Sequence, residues 1–321
     1  MNPEDGAPRP DIIDYEGSRY RHEFWEVANR AYEDQVERVA LRRLLPPTGR
    51  RLLEVGAGYG RLTPEYRDFD RVVLLDYSLT HLQDAQRNLG RDERFLYIAA
   101  DVCRQPFCDG AFDAATTIRV LHHLPDVPGA LAEMARVMAE QGTLVLEHAS
   151  KRHLKSALRH ALGLQKWSPY TLEPLEFVEL NFDFHPEYMR QQLAAVGFHI
   201  DRRLPVSWLR LGLLKNTLPT GLLVRTDSLL QHSGVLWSPS VFVRATRQEH
   251  VGVQCAGDSF LRCPYSGEGL QRQGDNMVSF ESGRRWAIRD GIYDFREPLT
   301  QATALPGAAP RSARMPRPGR G

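Results

Sequence analysis

The sequence predicts an α/β fold: a largely parallel sheet covered by helices on both faces, followed by a small β-rich ribbon. Three observations carry this. Short apolar runs recur at residues 52–55, 71–75, 95–99 and 143–147, the length of buried strands and far short of a membrane span. Helix-periodic segments at 21–45, 127–139 and 186–197 alternate with the runs, and such alternation prescribes a parallel sheet wrapped by its crossovers. Beyond a linker-like stretch at 248–258, the residues from Phe260 to Phe295 change to short segments punctuated by Gly, as a separate unit should.

Composition narrows the class. With 321 residues, one large domain plus an appendage is the natural organisation. The chain carries 41 basic and 40 acidic side chains, which leaves no electrostatic case for nucleic acid. The start, MNPEDGAPRP, has no apolar signal core, so a cytoplasmic address is expected. Four cysteines, Cys103, Cys108, Cys255 and Cys263, are too few for a disulfide framework, in keeping with a reducing compartment.

The elements follow in order. Residues 1–10 are polar and proline-containing. The segment 21–45 places Val36, Val39, Ala40 and Leu44 at helical spacing and stops at Pro46-Pro47. The first strand then runs Leu52-Leu53-Glu54-Val55 into the turn Gly56-Ala57-Gly58-Tyr59-Gly60-Arg61. Gly56 and Gly58 let a ligand approach the backbone, and a helix beginning near Tyr59 would turn its free N–H groups toward that ligand. A dinucleotide fingerprint wants a third glycine where Arg61 stands, so the spacing is instead E-x-G-x-G-x-G. The second strand ends in Asp76, about twenty residues on, where a carboxylate can accept from both hydroxyls of a ribose. The third ends near Asp101, and the fourth falls within PFCDGAFDAATTIRVLHHLPD, residues 106–126. Residues 127–139 form an amphipathic helix, Gln141-Gly142 turns the chain, and 143–147 is the fifth strand.

At the glycine turn the sequence resembles the class I S-adenosylmethionine-dependent methyltransferases, and over 106–126 it resembles the subgroup containing the ubiquinone and menaquinone C-methyltransferases. The resemblance implies a seven-stranded Rossmann-like sheet spanning 21–247, with a strand at 240–245 inserted antiparallel and a sixth strand near 198–200. It implies S-adenosylmethionine as cofactor: Glu54 near the methionine amino group, Gly56, Ala57 and Gly58 along the cofactor, and Asp76 with Tyr77 at the ribose. Asp101 and the Val102 N–H are then expected at the adenine, the alternative being that Asp101 caps the following turn; Arg119 joins the cofactor wall. A nicotinamide enzyme would make the same prediction for Asp76, but Arg61 argues against it. His122 and His123 are the candidate general bases, with His148 behind them; the alternative is that at least one of the pair is structural. Residues 1–20, with Tyr15 and Tyr20, are a lid or two ordinary half-buried tyrosines.

Residues 148–237 are expected to select a small or amphiphilic methyl acceptor and contain no decodable motif. Within them, LKSALRHALGLQKW sets Leu154, Leu158, Ala161 and Leu162 on one face among Lys151, Arg152, Lys155, Arg159 and Lys166. A helix packed on the sheet is the expectation; the alternative is a peripheral membrane contact through 151–167 or closure over an amphiphilic substrate. Further on, Pro219 and Gly221 read as breakers.

The unit at 255–298 resembles the zinc-ribbon modules fused to, or supplied as partner subunits to, methyltransferases. Its four ligand positions read Cys263, Ser266, Ser279 and Ser282, one thiol where tetrahedral zinc needs four soft ligands. A metal-free ribbon held by Phe260, Leu261, Trp286, Ile288, Ile292 and Phe295 and docked on the main domain is expected, with a protein partner as a further role. The tail at 301–321 reads as disordered.

Overall fold

The computed structural model describes residues 30–248 and 259–299. Tyr15 and Tyr20, Cys255 and the tail at 301–321 lie outside the described residues, as does the start of the predicted first helix.

The strands are β1 (Gly49–Val55), β2 (Phe69–Asp76), β3 (Phe95–Ala99), β4 (Phe112–Thr117), β5 (Met138–Ala149), β6 (Leu175–Val178), β7 (Asn181–Asp183), β8 (Phe198–Val206), β9 (Ser240–Arg247), β10 (Gln271–Gln273), β11 (Asn276–Val278), β12 (Arg285–Arg289) and β13 (Ile292–Asp294). The helices are α1 (Ala31–Leu44), α2 (Leu79–Leu89), α3 (Val127–Val137), α4 (Leu154–Ala161), α5 (Pro186–Ala195), α6 (Gly212–Thr217) and α7 (Thr220–Leu230). In the main sheet the order is β3-β2-β1-β4-β5-β9-β8, with β9 antiparallel to both neighbours. That is the seven-stranded order with its antiparallel insertion.

The sheet differs from the expected seven strands in one respect. β10 to β13 continue it beyond β3 to give eleven strands in one ladder. The reason is physical: a bare β3 would leave an edge of unpaired backbone groups. β13 takes that edge in parallel register, Ile292 opposite Tyr97 and Asp294 opposite Ala99. The ribbon also bonds to the loop before β4, through Cys108 N to Phe260 O at 2.9 Å and Arg262 N to Pro106 O at 2.9 Å. Phe260, Trp286, Ile288, Ile292 and Phe295 are all buried, and Leu261 packs half-buried beside them.

The four ligand-like positions of the ribbon do converge, around a carboxylate. Ser279 donates its hydroxyl to Glu268, the Ser282 N–H reaches the same Glu268 oxygen at 3.2 Å, and the Ser266 N–H points at the Cys263 sulfur at 3.4 Å. Burial works to raise the Glu268 pKa, but hydrogen bonds from Ser279, Ser282 and Ser266 outweigh it and hold the carboxyl below its usual range. Cys108 is disulfide-bonded, whereas Cys103 and Cys263 are free thiols. One link is thus present in a chain with too few cysteines for a disulfide framework.

Three local expectations are corrected. β5 starts at Met138, directly from α3, because Met138 already pairs with Phe112 before the irregularity at Gln141-Gly142. Gly221 lies inside α7 and only Pro219 breaks the chain, as the residue capping that helix. α4 buries Ser156 and Ala157, not its leucines, which point outward.

Candidate active site

The glycine turn leaves β1 at the carboxyl edge of the sheet, where open α/β sheets hold ligands. Gly56, Gly58 and Gly60 all take positive φ, at 68°, 55° and 75°. A Cβ on Gly56 would stand 2.2 Å from Val120 Cγ2, whereas one on Gly58 would meet nothing within 4 Å and would project into open space. Gly58 is therefore a cradle that a side chain would fill.

One cleft runs along these strand ends in two connected parts that share Val55, Gly56, Gly58 and Arg119. The larger part is walled by Asp76, Tyr77, Asp101, Val102, Val120 and His123. The smaller is walled by Glu54, Ala57, Tyr59, Tyr66 and Thr116. Every cofactor residue singled out in the sequence thus faces one continuous cleft.

Asp76 ties the two glycine-side loops together. Its Oδ2 accepts from Gly58 N at 2.8 Å and its Oδ1 from Ser78 N at 3.0 Å, leaving lone pairs on both oxygens for sugar hydroxyls. Asp101 both lines the cleft and caps its turn, accepting from Cys103 N at 2.8 Å. The two alternatives for Asp101 are compatible.

Glu54 is the most informative group. It is 5% exposed and is held by the Thr63 hydroxyl at 2.6 Å and the Tyr66 hydroxyl at 3.2 Å. Burial pushes its carboxyl up to about 7, against those hydrogen bonds and the more distant charge of Arg61. Among the described residues no ion pair reaches it. A buried carboxylate that faces the cleft with no ion-pair partner among the described residues fits a ligand that brings an ammonium group.

Arg119 belongs to the wall of both parts of the cleft. It sits at φ 61°, and its N–H donates to Glu147 Oε2 at 3.0 Å. Its guanidinium turns away to Glu37, which also receives Arg61 Nη2 at 2.8 Å. Burial would raise the Glu37 pKa, but Arg119 and Arg61 together hold it below the usual range. α1 is thereby clamped to both loops that line the cleft. Glu37 went unnoticed in the sequence, where it reads as one charge on a helix face; its spacing from Arg119 carries no signal.

His122 and His123 lie on a 3-10 turn after β4 with ring centroids 4.0 Å apart. Burial drives the pKa of both below the usual range, most strongly at His122, where the His123 and Arg119 charges add to it. Both imidazoles are neutral near pH 7. His123 lines the cleft and bonds the Leu180 backbone, so it also fixes the β6–β7 hairpin. His148 is buried at the end of β5, pushed down to about 4, with Nδ1 3.3 Å from the carbonyl of Ala149.

The hairpin carries a carboxylate that no motif in the sequence singles out. Asp183 ends β7, and the next residue, Phe184, bonds back to the end of β5 through its N–H to Ala149 O at 2.9 Å. Burial and the neighbouring Glu147 raise Asp183 to about 6. Among the described residues no group of three or more His, Cys, Asp or Glu could hold a metal ion.

This sheet order, with a glycine turn after the first strand and acidic residues ending the first two, is that of the class I S-adenosylmethionine-dependent methyltransferases. Residues 53–146 match the family model described as a methyltransferase domain. Over 103 residues it is 39% identical to a demethylmenaquinone methyltransferase of Renibacterium salmoninarum, covering 32% of this chain and 42% of that protein. Over 138 residues it is 28% identical to 27-O-demethylrifamycin SV methyltransferase of Amycolatopsis mediterranei, covering 40% of this chain and 51% of the relative. The chain thus spans about half the length of the curated relatives it matches. In fold it is similar, with a TM-score of 0.51 and 13% identity, to a chain from the Haloferax volcanii complex between the Trm112 methyltransferase activator and a methyltransferase, covering 72% of this chain and 96% of that one.

Proposed function

We propose that the protein transfers the methyl group of S-adenosylmethionine to a small or amphiphilic acceptor held over the carboxyl ends of β4 and β5. The observation that carries this is Glu54, a buried carboxyl lacking an ion-pair partner among the described residues at the floor of a glycine-lined cleft that continues to Asp76 and Asp101. When bound, the cofactor supplies an activated methyl together with its own leaving group. Glu54 holds the amino-acid end, Gly56 and Gly58 admit the chain, and Asp76 and Asp101 fix the sugar and base. The protein's remaining tasks are to aim the acceptor and exclude water.

An acceptor whose nucleophile is protonated needs a base. We assign that role to Asp183, whose carboxyl is raised close to neutrality and lies within electrostatic reach of Glu147, the acceptor of the Arg119 N–H, while His123 anchors the hairpin that carries it. His122 and His123, the bases proposed from the sequence, remain competent as neutral imidazoles but weak ones. Relatives named for demethylmenaquinone and 27-O-demethylrifamycin SV support an acceptor in the small-molecule class.

The ribbon acts in this reading as an internal brace. Phe295 N donates to Ala99 O at 2.7 Å, and Arg296 donates to Tyr77 O at 3.3 Å with its guanidinium 5.7 Å from the Tyr77 ring centroid. The brace therefore backs the wall on which the ribose would lie. A protein partner on the ribbon's outer strands is compatible with this role.

Parallel titrations with S-adenosylhomocysteine and NADH test the cofactor assignment: micromolar or tighter binding of the first alone is expected. Heat from NADH alone would move the protein to oxidoreductase chemistry. Ligand binding without methyl transfer across diverse acceptors would make it a non-catalytic homologue.

A further inference from the structure

Large apolar side chains on the surface are unevenly placed. Among the described residues seventeen are exposed, and fourteen of them fall between positions 154 and 235, less than a third of the described chain. Scattered exposed leucines need no explanation, but a concentration of this kind marks an interaction surface. On α4, Leu154, Leu158 and Leu162 form an outward stripe that is 56%, 58% and 63% exposed. The β6–β7 hairpin presents Phe177 and Val178, and α6 presents Leu213.

Charge accompanies this surface. The chain is balanced overall, yet residues 148–172 contain five Lys or Arg and no Asp or Glu, and residues 202–226 repeat that count. Lys155, Arg159 and Lys166 are exposed around the α4 stripe.

The pieces are held together rigidly. Leu154 N bonds Trp237 O at 2.9 Å, Lys151 Nζ bonds Thr171 Oγ1 at 2.9 Å, and the His160 and Tyr170 rings meet edge to face at 5.9 Å. The stretch leading into α6 is fixed through Trp208 N to Asp227 Oδ2 at 2.7 Å, and Asp227 in turn accepts from Tyr32 of α1 at 2.6 Å. Arg210 lies within electrostatic reach of both His153, which caps α4, and His122 beside the cleft. The hairpin meets the cleft at His123, which lines the cleft and bonds the Leu180 backbone.

We propose that α4 docks on an anionic lipid bilayer, its leucine stripe entering the headgroup boundary and Lys155, Arg159 and Lys166 meeting lipid phosphates. A bilayer fits the α4 stripe because its three exposed leucines are flanked by the exposed Lys155, Arg159 and Lys166, with no carboxylate between positions 148 and 172. It stands on the surface rather than on the cleft; only the corollary, that the acceptor is presented from the membrane, rests on the methyltransferase reading.

Co-sedimentation of the full chain with sucrose-loaded vesicles tests it, using phosphatidylcholine alone and phosphatidylcholine mixed with phosphatidylglycerol. Binding to the anionic vesicles is expected, weaker on the neutral ones and reduced by salt. Replacing Leu154, Leu158 and Leu162 together by Gln should lower partitioning at least tenfold. Lys155→Glu with Arg159→Glu should cost roughly fivefold per charge removed and abolish the preference for anionic lipid. S-adenosylhomocysteine affinity, measured on the same variants, should stay within twofold, which shows that they are folded and keeps this test separate from that of the cofactor. Absence of binding, or binding equal in parent and leucine variant, overturns the proposal. So does a dimer in solution that the leucine variant dissociates, because a second copy would then cover the surface.

Discussion

Replacing Glu54 by Gln separates what the buried carboxyl does for the ligand from what it costs the fold. Burial raises this group from 4.5 to about 7. Because the folded value is the higher one, the fold prefers the protonated form. The penalty is absent below the unfolded value of 4.5, grows as pH rises, and is complete above about 7. At roughly 1.4 kcal/mol per tenfold step, it amounts to ~3 kcal/mol at pH 8. Gln is neutral, similar in shape and still offers an oxygen to the Thr63 hydroxyl. Glu54→Gln without ligand should therefore be more stable than the parent by ~1–3 kcal/mol at pH 8, with the gain disappearing toward pH 4.5. The same change removes a charge-assisted bond to the ligand's ammonium, worth ~1.5–3 kcal/mol, so S-adenosylhomocysteine should bind roughly 10- to 150-fold more weakly. Urea unfolding at pH 5 and pH 8, with and without ligand, measures both effects. A variant less stable than the parent at pH 8, or one that binds the ligand undiminished, would refute the role given to Glu54.

Other outcomes follow from the same geometry. Gly56→Ala combines positive φ with a contact against Val120, and should lose ~2–5 kcal/mol in thermal or chemical unfolding, whereas Gly58→Ala should lose only ~1 kcal/mol but weaken cofactor binding more in proportion. Asp183→Asn should remove an acidic limb near pH 6 from the turnover profile and lower kcat about 10²- to 10⁴-fold for an acceptor that needs a base, with cofactor affinity intact. His122→Gln should retain turnover within about tenfold, and a larger loss in kcat at unchanged cofactor affinity would return the base role to the imidazole. Arg296→Ala should weaken S-adenosylhomocysteine binding by about two- to tenfold, as the loss of one partly buried bond behind Tyr77, and calorimetry reads it directly.

What the sequence made legible was local. The turn at Gly56 and Gly58 announces itself because positive φ and close approach restrict the residue type, and Asp76 and Asp101 stand at strand ends whose apolar runs are easy to delimit. Partnerships made across the fold left no such trace. Glu37 meets Arg119 from 82 positions away, and Asp183 comes within electrostatic reach of Glu147 on a hairpin of two short strands with weak alternation. Periodicity placed the α4 leucines on a common face but could not say whether that face looks inward, which depends on what the sheet has left to cover. The ribbon was recognisable as a unit, yet its use as a continuation of β3 follows from an exposed sheet edge that exists only once the fold has formed.

The central claim is that the cleft over β1 and β2 holds an adenosyl amino acid with its ammonium at Glu54. Isothermal titration of the full chain with S-adenosylhomocysteine at pH 7.5 tests this most directly, since it needs no acceptor. One site per chain with a dissociation constant in the micromolar range or below is expected, weakening as the pH falls below about 7 while Glu54 takes up its proton. No heat at ligand concentrations in the millimolar range would contradict the account.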